Sequence, residues 1–185
     1  MKTPSPLMGS LVRLAPPSPL EDGHITMTWH QDSQIKRLAD SEPVRHFTFK
    51  QERELHEKGL SEFYSFMIWT LAEGRLIGNT DLSDINWSSG NAWLGIWIGD
   101  KEFLGRGFGT DAMKIIINYA FMEMNLRRIS LTVFSYNERA FHLYEKLGFQ
   151  LEGRERKSIH RAGTRADLVY MGMLRREWEQ NKFSY

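Results

Sequence analysis

Three glycines at alternate positions stand before a helical pattern and constrain this chain more than any other feature. They are Gly105, Gly107 and Gly109. Glycine permits a tight turn and lets a ligand approach the backbone closely. The first N–H groups of a helix have no intrahelical acceptor, and together with the helix dipole they attract anions. We therefore expect a phosphate-bearing ligand on residues 106–110, although a plain connection into a helix would give the same pattern.

The common phosphate-binding fingerprints do not fit these glycines. A P-loop requires Lys and then Ser or Thr directly after its last glycine, whereas Thr110 and Asp111 follow Gly109. A dinucleotide-binding turn requires wider glycine spacing in an early βαβ unit and a later acidic residue. The glycines alone thus indicate an anion site without identifying its ligand.

A second pattern lies downstream, over residues 137–149. It reads Asn-Glu-Arg-Ala-Phe-His-Leu-Tyr-Glu-Lys-Leu-Gly-Phe. This resembles the Asn-x-x-Ala-x-x-x-Tyr-x-Lys-x-Gly-Phe segment of the GNAT superfamily of N-acetyltransferases. The glycine run resembles the acetyl-CoA-binding motif of the same family, Gln/Arg-x-x-Gly-x-Gly/Ala. Leu104, Gly107 and Gly109 take its fixed positions, with Leu104 in place of the usual Gln or Arg.

The resemblance extends from residue 65 to residue 174, and the two motifs occur in the order that the family has. Within the superfamily, residues 126–173 are similar to the branch that acetylates spermidine and the N-termini of ribosomal proteins. The resemblance implies a GNAT fold, with a mixed, mostly antiparallel sheet of about seven strands, a central parallel pair and flanking helices. It also implies a homodimer.

The resemblance assigns roles to individual residues. It implies that the pantetheine arm lies along the main chain of one strand, that the pyrophosphate lies on the glycine turn, and that Asn137 contacts the arm. The implied cofactor-binding residues are Ile96, Trp97, Ile98, Leu104, Gly105, Arg106, Gly107, Phe108, Gly109, Thr110 and Asn137. Tyr144 becomes the general acid toward the CoA sulfur, since a phenol with a pKa near ~10 is neutral at pH 7. From the residues alone, Asn137 could be a helix N-cap and Tyr144 a half-buried aromatic residue.

The acceptor side is less defined by the sequence. Candidate bases or substrate contacts are Glu42, Asp81 and Asp84, although exposed acidic residues are commonly just solvated. Trp93, with Trp87 and Trp97, could line an acceptor pocket and attract a cation, or simply pack in the core. The histidines show no metal-ligand spacing, so we expect acetyl-CoA as co-substrate and no metal.

Composition limits the classes of partner. Net charge is +1 over 185 residues, which gives no reason to expect nucleic acid. Residues 127–165 hold nine basic and four acidic residues, and residues 1–126 hold twelve and sixteen. This asymmetry suits a polyanionic cofactor and a cationic amine, or is an uneven solvated surface. The chain has no Cys, which excludes disulfides and a Cys nucleophile. It shows no apolar span or signal peptide, so we expect a cytoplasmic protein without membrane contact.

The hydrophobic pattern predicts the order β α α β β β α β α β β, in one domain over residues 9–185 after a disordered tail, 1–8. Predicted strands cover residues 11–14, 66–72, 76–86, 92–99, 127–134, 149–160 and 164–174. Predicted helices cover residues 20–38, 50–59, 111–124 and 137–147.

The favoured function is an acetyl-CoA-dependent N-acetyltransferase. It would move an acetyl group to a primary amine by direct attack in a ternary complex. The acceptor could be a polyamine, a protein N-terminal amine or a small-molecule amine. A non-catalytic acetyl-CoA sensor or interaction module of the same fold is the alternative. A different nucleotide-binding α/β enzyme is a third reading.

Overall fold

A computed structural model describes residues 5–43, 48, 50, 51, 54 and 64–180. Its centre is a seven-stranded sheet. The strands are β1 (Val12–Ala15), β2 (Tyr64–Thr70), β3 (Leu76–Asn86), β4 (Asn91–Ile98), β5 (Arg128–Phe134), β6 (Gln150–Arg161) and β7 (Thr164–Leu174). The spatial order is β1-β2-β3-β4-β5-β7-β6, and only β4 and β5 pair in parallel. The mixed sheet with a central parallel pair, expected from the sequence, is confirmed.

Helices flank this sheet. They are α1 (Pro19–Gln31), α2 (Ser33–Ala39), α3 (Phe108–Asn118), α4 (Glu138–Lys146) and α5 (Arg175–Gln180). The single helix predicted over residues 20–38 is wrong, because Asp32 has extended backbone angles and divides it. Its carboxylate accepts from the amides of Gln34 and Ile35, which caps α2. The helix predicted over residues 50–59 lies largely outside the described residues, and α5 was not predicted.

The helix after the glycines begins earlier and ends differently than predicted. Gly107, with φ of 90°, is the N-cap of α3. After Asn118 the chain continues as a π-helical segment, Tyr119–Glu123, and the amide of Met124 donates to the carbonyl of Tyr119 at 3.1 Å. The turn therefore leads directly into a helix, and the N-cap of that helix has a left-handed backbone conformation that favours glycine.

The main core lies between α3 and one face of the sheet. Met113, Ile116 and Ile117 of α3 are fully buried there and form its apolar stripe. Burial of such a stripe is the dominant stabilising contribution to a fold of this kind. The other face carries a smaller cluster, in which Trp29 of α1 packs with Met67 of β2. The two faces of the central strands are thus covered by different helices.

The N-terminal residues make main-chain contacts with β1. The carbonyl of Leu7 accepts from the amide of Leu14 at 2.8 Å, and Met8 forms a bridge with Arg13. The boundary between tail and domain at residue 8 stays a prediction. Within the described ranges, no helix is both long and apolar enough to cross a bilayer.

Candidate active site

The central strands β4 and β5 pair only at their beginnings. The ladder joins Asn91 to Arg128, Ala92 to Ile129 and Trp93 to Ser130, and it ends there. From residue 94 to residue 98, the side of β4 that faces β5 carries no strand partner. A cleft of about 520 Å³ lies at this opening. The break in pairing leaves main-chain donors and acceptors at the cleft wall without partners in the sheet.

The cleft brings together most of the residues that the sequence singled out. They are Ile96, Trp97, Ile98, Leu104, Gly105, Gly107, Gly109, Thr110, Asn137 and Tyr144, with Asp81, Asp84 and Trp93 on the candidate acceptor side. Sequence reasoning missed one wall of the cleft, which α2 supplies through Ile35, Leu38 and Ala39.

Three predicted residues lie elsewhere. The Arg106 guanidinium lies over the rings of Phe103 and Phe108, 5.4 and 5.5 Å from their centroids, and donates to the carbonyl of Glu102. Phe108 packs edge-to-face on Phe103. Glu42 borders a separate cavity of about 640 Å³ beside the β6–β7 hairpin, and its carbonyl accepts from Arg161. The side chains of these residues therefore do not line the cleft.

The glycine turn offers unpaired amides at the cleft wall. Within the part of the chain that the structure describes, the N–H groups of Phe108, Gly109 and Thr110 have no protein acceptor. A Cβ on Gly109 would meet Ile98 of β4 at 3.5 Å, so the turn packs closely against the unpaired strand. Free amides at a helix start beside a cleft fit a phosphate group.

Asp111 anchors this helix start to the N-terminal segment, and sequence reasoning missed it. Its carboxylate accepts from the amides of Leu11 and Val12 at 2.7 and 2.9 Å and from both the amide and the hydroxyl of Ser10. Burial alone would raise the pKa of this carboxyl, but these hydrogen bonds outweigh burial and lower it. An acidic residue in the first turn of an otherwise apolar helix was the available signal.

Asn137 serves as the N-cap of α4, and it also lines the cleft. Its Oδ1 accepts from the amide of Ala140 at 3.3 Å, and its Nδ2 lies 3.4 Å from the carbonyl of Leu38 in α2. The capping role considered for this residue is confirmed. Because Asn137 also lines the cleft, its side chain is in a position to contact a bound ligand.

Tyr144 lies on the buried side of α4 and is only 7% exposed. Its ring packs edge-to-face on Phe149, with centroids 6.0 Å apart. Burial raises the pKa of the phenol to about 12. Tyr144 is therefore a neutral proton donor at the cleft wall throughout the ordinary pH range.

The acceptor side combines carboxylates with indole rings. Asp81 is half-buried, and burial raises its pKa to about 6. Asp84 is exposed on a bulge of β3, where its φ is 47°. Trp93 is 37% exposed and meets Tyr170 edge-to-face at 6.2 Å. Trp87 lies outside the cleft lining and contacts Tyr64.

Trp97, which also lines the cleft, carries a buried indole N–H group. Its indole Nε1 is buried and has no hydrogen-bond partner among the described residues. Its ring lies 4.8 Å from that of His30. Those residues contain no group of three or more His, Cys, Asp or Glu side chains that could hold a metal ion.

The family follows from a match that covers most of the chain. Residues 12–150 match the acetyltransferase (GNAT) domain. The chain belongs to the GNAT family. YdaF of Bacillus subtilis (strain 168), named as a candidate ribosomal N-acetyltransferase, is 38% identical over 112 residues, or 60% of this chain and 61% of that relative. The alignment with this relative therefore spans less than two thirds of its length.

Spermidine acetyltransferases are among the other relatives. Spermidine N(1)-acetyltransferase of Escherichia coli (strain K12) is 32% identical over 127 residues, which cover 64% of this chain and 67% of that enzyme. The crystal structure of spermidine N-acetyltransferase from Vibrio cholerae in complex with CoA and spermine superposes with a TM-score of 0.82 at 26% identity, covering 91% of this chain and 98% of that one. The GNAT fold is confirmed, and the comparisons support an N-acetyltransferase that acetylates an amine with acetyl-CoA.

Proposed function

We propose that this GNAT protein transfers the acetyl group of acetyl-CoA directly to a primary amine of a polyamine within a ternary complex. The observation that carries the proposal is the cleft where β4 and β5 stop pairing. Its lining holds the glycine turn, the unpaired main chain of residues 94–98, Tyr144 and two acidic side chains. Each part of an acetyl transfer has a matching group in that one cavity.

The unpaired main chain of β4 suits the pantetheine arm. Its amides and carbonyls can bond to an extended ligand as they would to an added strand. The amides of Phe108, Gly109 and Thr110 suit the pyrophosphate, and Asn137 offers an amide group between the two helices α2 and α4. Acetyl-CoA supplies the activated acetyl group when it is bound.

The protein's own acid is Tyr144. Attack of a neutral amine on the thioester carbonyl forms the C–N bond and breaks the C–S bond, and the departing sulfur needs a proton. A buried phenol with a raised pKa is protonated at neutral pH, so its O–H can donate a hydrogen bond to the departing sulfur. Because the chain has no Cys, no acetyl-cysteine relay is available, which supports direct attack.

The acceptor side favours a cationic amine. The carboxylates of Asp81 and Asp84 attract an ammonium group, and the exposed part of the Trp93 ring offers a cation–π surface. Polyamines combine a primary amine with further positive charges. The spermidine-acetylating relatives support the same choice.

Release of CoA thiol from acetyl-CoA tests this function. We would compare spermidine, spermine, short peptides with free N-termini and single-charge amines, with no-amine controls. The proposal expects thiol release that depends on the polyamine and intersecting initial-rate lines, as a ternary complex requires. Release with peptides alone would redirect the acceptor to protein N-termini. Tight acetyl-CoA binding without release for any amine would favour the non-catalytic sensor.

We also propose that the protein acts in the cytoplasm, from its sequence, and that it forms a homodimer, from its resemblance to the family. Light scattering of the purified protein measures its mass directly, and a monomer at micromolar concentration would contradict the dimer.

A further inference from the structure

One carboxylate at the cleft has so far been assigned only the attraction of the acceptor ammonium, with no part in proton transfer. Asp81 lies on β3 directly opposite Gly95 of β4 in the antiparallel ladder. Gly95 belongs to the part of β4 that has lost its pairing with β5. Asp81 therefore stands beside the strand segment proposed to hold the cofactor arm, and it lines the same cleft as Tyr144.

The absence of a side chain at Gly95 makes room for this carboxylate. A Cβ built at Gly95 would lie 2.7 Å from Oδ1 of Asp81 and 3.3 Å from Oδ2. No Cβ fits at the shorter distance, so the side chain of Asp81 occupies the space above the glycine. The pair holds a carboxylate against the main chain of β4 at the start of its unpaired segment.

The carboxylate is also without a protein partner. Among the described residues, no hydrogen bond or ion pair reaches Asp81, and burial is what shifts its pKa. A half-buried carboxylate with no partner costs folding free energy. Asp111, by comparison, receives four hydrogen bonds. The structure therefore retains at the cleft an acid that contributes nothing visible to stability.

We propose that Asp81 is the general base that takes a proton from the ammonium group of the acceptor before the amine attacks. The inference rests on the proposed function. The proton balance is complete. The ammonium gives one proton to Asp81, which later releases it to solvent. The neutral amine attacks the thioester, and the second proton lost from nitrogen replaces the one that Tyr144 donates to sulfur.

The surroundings suit this task. A carboxyl whose pKa is raised to about 6 is a stronger base than an ordinary carboxylate, yet it is mostly ionised at pH 7. The charged and titratable side chains that line the same cleft are Asp84 on β3 and Arg139 and Tyr144 on α4, and His30 contacts Trp97 of β4. Asp84 adds attraction for the ammonium, whereas Arg139 adds a positive charge.

Three variants test the proposal. Asp81→Asn removes the base, Asp81→Glu keeps a carboxylate, and Gly95→Ala pushes the carboxylate out of its place. Glu73→Gln is the matched control, because it neutralises an exposed acid in the turn between β2 and β3, outside the cleft lining. The measurements are kcat/KM for the polyamine from pH 5 to 10 and the melting temperature with and without acetyl-CoA.

The proposal gives a specific pattern. D81N should lower kcat/KM about 100-fold near neutral pH. The deficit should narrow as pH rises toward the amine pKa of ~10, because a free amine needs no base. The wild-type rise through about pH 6 should vanish in D81N. D81E should restore part of the activity, and E73Q should keep the wild-type profile.

Folding and binding distinguish this pattern from structural damage. D81N should melt no lower than wild type at pH 8, since it removes a buried charge, and acetyl-CoA should stabilise both equally. G95A alone should lower kcat/KM. Combined with D81N it should cause little further loss, because both changes act through the Asp81 carboxylate.

Two results would overturn the proposal. One is a D81N enzyme with wild-type kcat/KM at neutral pH, and the other is a deficit that stays constant at every pH. An active wild type with either result removes only the role of Asp81. A wild type that acetylates no amine overturns both the role and the proposed function.

Discussion

Burial has different consequences for Tyr144 and Asp81, two of the ionisable residues that line the cleft. It raises the pKa of Tyr144 to about 12 and that of Asp81 to about 6. For the phenol, this keeps the group protonated and neutral throughout the ordinary pH range. For the carboxyl, it increases basicity while leaving the group ionised at neutral pH. The same physical cause thus produces an acid and a base from residues with opposite ordinary states.

Replacing Tyr144 with Phe should lower kcat about 100-fold, because the departing sulfur loses its proton donor. Acetyl-CoA should bind as in wild type, since the main chain of β4 and the glycine turn are unchanged. Steady-state kinetics and a thermal-shift titration measure the two effects separately.

Tyr119→Phe is the matched control for that experiment. Tyr119 packs edge-to-face on Phe66 at 5.4 Å and lies outside the cleft lining. Its variant should keep wild-type kcat. Equal losses in the two variants would deny Tyr144 a role in proton transfer.

At this scale, the sequence predicted residues whose spacing repeats a known motif, namely the glycines, Asn137 and Tyr144. It missed Asp111, because the partners of that carboxylate lie about 100 residues earlier in the chain. It also placed Glu42 on the acceptor side, whereas this residue borders another cavity. Contacts between distant segments leave no periodic signal in the sequence.

At the scale of elements, the connection from β4 through the glycine turn into α3 has two separate supports. One is the close packing of Gly109 on Ile98, and the other is the anchoring of α3 to residues 10–12 by Asp111. The first holds the unpaired amides beside the cleft. The second ties the start of α3 to the residues at the beginning of β1.

Gly109→Ala tests the turn. The added methyl would sit at ordinary contact distance from Ile98, so the fold should persist. It would narrow the cleft at the proposed phosphate position, and we expect acetyl-CoA affinity to fall about tenfold, or ~1.4 kcal/mol. Calorimetric titration measures it.

Gly153→Ala is the corresponding control, because a Cβ there meets nothing within 4 Å. This variant should bind acetyl-CoA as wild type does. Unchanged affinity in Gly109→Ala would remove the glycine turn from the proposed cofactor site.

Asp111→Asn tests the anchor. Losing the charge weakens four hydrogen bonds, and we expect the free energy of unfolding to fall by about 2 kcal/mol at pH 7. The folded pKa of Asp111 is lowered, so its contribution is complete above the unfolded value and is lost as pH falls through the folded one.

Urea unfolding at pH 7 and at pH 3 checks that sign. The difference between wild type and Asp111→Asn should be largest at pH 7 and should shrink at pH 3. Asp84→Asn, at an exposed position, should change stability little. A difference that grew on acidification would contradict the account of this carboxylate.

Elements with strong periodicity were predicted within a few residues, as β7 and α4 show. The split between α1 and α2 was missed because one capping residue, Asp32, ends one helix and begins the next without Gly or Pro. The π-helical end of α3 was also missed, since the apolar stripe continues through it. A capping residue or a π-helical insertion changes where a helix ends. It leaves the spacing of the apolar residues unchanged, so the sequence pattern does not show it.

For the whole molecule, the proposed function depends on a sheet whose central strands stop pairing part-way along their length. The crossover through α3 forces β4 and β5 to run parallel, and they separate after three residue pairs. The parallel pair followed from the order of predicted elements. The separation did not, because strand pairing depends on packing over both faces of the sheet rather than on the two strands alone.

The central claim is that this opening binds acetyl-CoA, and one measurement addresses it directly. The melting temperature of the purified protein is recorded with acetyl-CoA, CoA, ATP and NAD in parallel. At about 100 times its dissociation constant, a ligand that binds only the folded state adds roughly 2.7 kcal/mol of stability. We predict stabilisation by acetyl-CoA and CoA beyond any given by ATP or NAD. No stabilisation by either CoA species at millimolar concentration would contradict the account and leave the glycine turn as a connection into a helix.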